Sequence, residues 1–142
     1  MKSNFFTSLV TGTILLTLIS LGVEMAFGGQ FSGPYLGWFL LSNALVVSIL
    51  GLIIRNSSLA GIKLSLLIFS IYFLIGHFNL LIEAHLFEVT NAQDTALITI
   101  QGLLITLLSS PLLVLIFGKW SGDDEKLVFP SRTKAAWTWR IV

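Results

Sequence analysis

Residues 59–87 read LAGIKLSLLIFSIYFLIGHFNLLIEAHLF, an apolar run without proline in which Lys63 near the start and Glu83 near the end are the only Asp, Glu, Lys or Arg. A hydrocarbon layer about 30 Å thick is crossed by roughly 20 helical residues, so this run is longer than one crossing needs. It predicts a helix that tilts or emerges at one end. Three further runs of spanning length lie at 5–27, 35–54 and 95–117. Gly28 and Gly29 close the first of these, while Pro34 opens and Arg55 closes the second, in keeping with proline at helix starts and glycine after helix ends. The chain as a whole is 55 % hydrophobic and 11 % charged, against roughly a quarter charged in a soluble domain. Its mean hydropathy is +0.92. The fold class expected is therefore an all-α integral membrane protein, a four-helix transmembrane bundle over residues 1–119 with a short tail at 120–142.

Lys and Arg near span ends are retained on the cytoplasmic side, which orients the bundle. Lys2, Arg55, Lys63 and Lys119 fall at the N-terminus, the second loop and the end of the fourth span, while the first and third loops hold neither residue type. Both termini are expected inside, in the plasma (inner) membrane, with an acidic outer mouth formed by Glu24, Glu83, Glu88 and Asp94. The apolar run at 5–27 exceeds the 7–15 residues of a signal-peptide core and lacks a small-residue cleavage site, so a retained helix is expected. The sequon at Asn56-Ser57-Ser58 would face the cytoplasm and is set aside. The tail, with Trp137, Trp139 and Arg140, has the residue types of a membrane interface and reads as cytoplasmic or interfacial, or as the approach to a further span if the chain is a fragment.

Several functions are excluded early. A net charge of +1 without a basic stripe gives no field for nucleic acid. No cysteine is present, which removes disulfides, thiolate catalysis and cysteine-ligated metal or clusters. There is no phosphate-binding glycine loop, no Ser-His-Asp context and no His-Glu-x-x-His. No cofactor or metal is specified by any motif. His77 and His85 are eight apart and fall off the Glu83 face at about 100° per residue, so they read as helix-contact or interfacial residues.

The polar and small residues of three spans align at helical spacing. They are Thr13, Thr17, Ser20 and Glu24 in the first, Ser65, Tyr72, Gly76, Asn79 and Glu83 in the third, and Thr95, Thr99, Gly102, Thr106 and Ser109 in the fourth. In lipid such faces point inward, so a polar seam is expected with Glu24, Asn79, Glu83, Tyr72 and Ser20 as its candidate ligand or cation site. Asn79 and Glu83, four apart, are placed to hydrogen-bond. Two carboxylates meeting at one depth would have to share a proton, bind a cation or reach water. The plainer alternatives are that the small residues only permit close packing and that both glutamates reach the headgroup region. Asn91 and Asp94 read as a helix cap, and Pro111 as a kink whose freed carbonyls Ser109 and Ser110 would satisfy. The function expected is a non-enzymatic binding, transport-accessory or assembly component. The lipid bilayer is its medium, and a second copy or other membrane subunits are its partners. A membrane-embedded metal- or cofactor-dependent enzyme using Glu24, Glu83 and His85, or an oligomeric proton- or cation-coupled carrier, stands as the alternative.

Overall fold

The computed structural model describes residues 4–29, 33–87 and 90–121. The tail expected beyond residue 121 lies outside them. The described residues are helical, with no strand among them. The elements are α1 (Phe5–Ala26), α2 (Gly33–Asn56), α3 (Gly61–Tyr72), a π-helical turn (Phe73–Phe78), α4 (Asn79–Leu86) and α5 (Ala92–Ile116). The segment from α3 through α4 is one continuous rod, so among the described residues four helices are long and apolar enough to cross a membrane. These match the four spans expected from the sequence to within a few residues. The π-helical turn inside the third was not foreseen.

Helix ends are made by the residues the sequence marks. After α1 the chain turns through Gly28 at φ +83°, and after α5 through Gly118 at φ +73°. In each case the next amide reaches back into the last turn, Gly29 N–H to Glu24 O at 2.9 Å and Lys119 N–H to Val114 O at 3.0 Å. Both are glycine-terminated Schellman ends, which satisfy carbonyls that a helix otherwise leaves open. At the start of α5 the Asn91 side chain accepts from the amides of Gln93 and Asp94, each at 2.9 Å, and donates to Asp94 Oδ2, the cap the sequence predicts.

The four rods run alternately up and down and form a ring in which α1 packs on α2 and α5, and α3 packs on α5, while α2 and α3 touch only slightly. Arg55, Lys63 and Lys119 therefore share one end of the molecule, and Glu24, Glu83 and Asp94 share the other. At the basic end the loop after α2 is tied to the end of α5. Gly61 N–H donates to Lys119 O at 2.9 Å, and Lys119 Nζ donates to Ser57 O at 3.1 Å.

Burial is uneven along the rods. The apolar core is built from Leu16, Val47, Leu50, Ile54, Leu64, Ile68, Tyr72, Ile105, Leu113 and Val114. From residue 35 onward every buried residue of α2 lies at or beyond Asn43, none of the π turn is buried, and residues 35–42 are exposed or half-buried throughout. The bundle is closed at its basic half and open at its acidic half.

Between apolar helices in an apolar medium, association rests on close packing and on hydrogen bonds rather than on expulsion of water. Phe117 supplies that packing. Its ring sits where α1 and α2 both present glycine: a methyl on Gly51 would overlap the ring, and one on Gly12 would meet Val47 at 2.9 Å and Leu113 at 3.1 Å. Phe5 lies 5.8 Å from the same ring, and the Arg55 guanidinium stands 5.5 Å from the Phe5 ring. Overpacking of a filled site costs about 1–3 kcal/mol, so Gly51→Ala is expected to destabilise the fold by that amount. Unfolding in mild detergent should show the loss shrinking in a Phe117→Leu background, where the ring no longer fills the notch.

Candidate functional site

The polar face of α1 is inward as expected, with Thr13, Thr17 and Ser20 buried and Glu24 half-buried at the acidic end. The face of α5 is inward too, with Thr106 and Ser109 fully buried. Most of these hydroxyls are satisfied within their own helix. Thr13 Oγ1 donates to Leu9 O at 2.9 Å, Thr106 Oγ1 to Gly102 O at 2.7 Å and Ser110 Oγ to Thr106 O at 2.6 Å. Such back-bonding lets a small polar residue occupy a packed interface without leaving a donor open. The serines beside Pro111 thus serve the carbonyl of Thr106, while Leu107, four residues before Pro111, is the one that loses a backbone donor.

A buried polar contact joins α1 and α2 through side chains alone. Asn43 Nδ2 of α2 donates to Thr17 Oγ1 of α1 at 3.2 Å, both residues being buried. Asn43 was not among the residues singled out from the sequence. The signal was present, because Asn43, Val47, Leu50 and Ile54 follow one another at steps of four, three and four, the buried row of α2.

The third span departs from expectation. Ser65 and Tyr72 are buried, but Gly76, Asn79 and Glu83 are exposed. The cause is the π-helical turn. Asn79 N–H donates to Leu74 O, five residues back, where an α-helix reaches four. The wider turn takes up one extra residue, so everything beyond it is set back by one position, a rotation of roughly 100°. His77 consequently occupies the position that uninterrupted α spacing gives to Gly76. Its ring lies 5.5 Å from that of Tyr72 and 6.4 Å from that of Phe73. It also sits against Gly102 of α5, where an added Cβ would come within 2.7 Å of His77 Cγ. Its Nε2 is buried without a hydrogen-bond partner among the described residues, an arrangement that costs about 1–3 kcal/mol.

Asn79 and Glu83 make the bond expected of them, Asn79 Nδ2 donating to Glu83 Oε1 at 3.0 Å, but on an exposed face. The five candidate residues therefore do not converge: Ser20 and Tyr72 are interior, Glu24 is at the rim, and Asn79 with Glu83 faces out. Glu24 and Glu83 do not meet. Ser8 Oγ donates to Ile116 O at 3.1 Å, and Gly12 faces Leu113, an antiparallel register that carried forward sets Glu24 level with Gln101. His77 abuts the neighbouring Gly102, and Glu83 is six residues further toward the acidic end, roughly 9 Å along the rod. Among the described residues no three His, Asp or Glu side chains gather as a metal site.

Comparison with known protein families, curated proteins and solved structures finds nothing that matches this chain.

The cross-helix bond singles out Asn43 over Asn79. Asn43→Ala should lower stability by about 0.6–2 kcal/mol, the range for hydrogen bonds between membrane helices, and Asn79→Ala by clearly less. Reversible unfolding of the two variants side by side in one detergent checks the order.

Proposed function

We propose that this chain is a non-enzymatic assembly component of the plasma (inner) membrane, spanning it four times with both termini inside, whose open acidic half receives a helix of another membrane subunit. The observation that carries this reading is the split in burial. One half of the bundle is packed around Phe117 and the Asn43–Thr17 bond, whereas residues 35–42 of α2 and most of α4 stay exposed or half-buried. The positions of Arg55, Lys63 and Lys119 at one end support the orientation.

Chemistry favours a protein partner over lipid alone. Lipid tails offer no hydrogen bond to the exposed Asn79–Glu83 pair, and polar side chains inside spans are ordinarily turned toward protein or water. A metal-dependent enzyme draws less support, since Glu24, Glu83 and His85 are not brought together. A carrier of this size would need other subunits to enclose a path.

Leu41 and Leu52 are both about half exposed on α2, the first in the open half and the second in the closed half. A photo-crosslinking residue at Leu41 in native membranes should capture a protein segment, and one at Leu52 only lipid. Lipid adducts at both positions, with a bare monomer in native mass spectrometry from mild detergent, would remove the assembly reading.

A further inference from the structure

We infer that the segment Gly61–Leu86 is a two-register device, in which the π-helical turn at Phe73–Phe78 can be absorbed into regular α-helix, turning α4 so that Gly76 and Glu83 take the places of His77 and Ala84 against α5 and Asn79 turns inward with them. The inference goes beyond the assembly role and does not depend on it.

Four observations bear on the exchange. The first is the turn itself, defined by the bond from Asn79 N–H to Leu74 O, with Gly76, a weak helix former, inside it. The second is that the polar stripe of this span is continuous only at α spacing, where Tyr72, Gly76, Asn79 and Glu83 share one face. In the observed register Asn79 and Glu83 are exposed, whereas Leu81 is buried and Ala84 half-buried.

The third observation concerns Nε2 of His77, which the observed register holds buried beside Gly102 without a hydrogen-bond partner among the described residues. Uninterrupted α spacing swings that ring out of the interface. The fourth is the polar row on α5. His77 lies opposite Gly102, so Ala84 falls near the level of Thr95, and removing the extra residue brings Asn79 to the level of Thr99 and Glu83 to that of Thr95. Both threonines are half-buried and currently bond along their own helix or loop, Thr99 Oγ1 to Thr95 O at 2.7 Å and Thr95 Oγ1 to Asn91 O at 2.8 Å.

Each register thus satisfies what the other leaves open. The observed one gains the ring contacts of His77 with Tyr72 and Phe73 and the fit over Gly102, and turns a carboxylate outward. The alternative restores regular backbone bonding and gives Asn79 and Glu83 hydroxyl partners. Two discrete packings of one helix are the kind of bistable element through which membrane subunits respond to a neighbour.

The chain has no cysteine, so engineered pairs report the register directly by disulfide formation in the full chain. Ala84→Cys with Thr95→Cys should cross-link in the observed register, and Glu83→Cys with Thr95→Cys in the alternative. Deleting Ile75, an exposed residue of the turn, takes out the extra residue and leaves only the observed orientation, so it should abolish the 83–95 cross-link and keep 84–95. Gly102→Ala closes the slot for His77 and should raise the 83–95 cross-link several-fold. Should Gly102→Ala not fold, the comparison of the full-length chain with the Ile75 deletion still decides. An 83–95 cross-link that the deletion removes supports the device. Its absence from the full-length chain, or equal yield with and without Ile75, overturns it.

Discussion

A peptide group in hydrocarbon has no water to bond, and the four helices of this chain that are long and apolar enough to cross a membrane meet that constraint. Helices answer it by closing their own hydrogen bonds, which is why the four long apolar runs have one available conformation in such a medium. The remaining open groups are at the helix ends. Gly28, Gly118 and Asn91 close three of these with specific geometry, two by positive φ and one by a side-chain cap.

Rods of this kind placed in a bilayer gain nothing from hydrophobicity in holding together, because lipid tails are as apolar as leucine. Shape has to hold them. At the basic half, Gly12 and Gly51 open a notch for Phe117, and the loop after α2 is hydrogen-bonded to the end of α5. The Asn43–Thr17 bond adds a directional contact between α1 and α2 at mid-bundle. Beyond that level the packing thins, α2 stands apart from the π turn and α4, and the molecule offers an unfilled half to whatever neighbours it.

The π-helical turn falls at the boundary between these halves. It resets the facing of the third span beyond Tyr72, where His77 and Leu81 rather than Gly76 and Asn79 turn inward, so the closed half and the polar end of the same rod need not obey one periodicity. Its location connects the fold to the proposed role: the one irregular turn among the described helices borders the open face.

Length and hydropathy determined the four rods, because the need to satisfy backbone groups acts on each segment alone and leaves a direct imprint on composition. Spacing also determined the inward faces of α1 and α5, where regular α geometry holds throughout, and the helix ends, where glycine and asparagine act locally. Only the tertiary structure decided which polar residues meet. Asn43 found Thr17 through the placement of α1 beside α2, and Glu24 and Glu83 were separated by the antiparallel register along α5. His77 displaced Gly76 from the interface because one wide turn rotated everything after it by a residue. A period of 3.6 residues read along the chain cannot register that insertion, since the extra residue belongs to no motif and its accommodation depends on the space that Gly102 leaves on another helix.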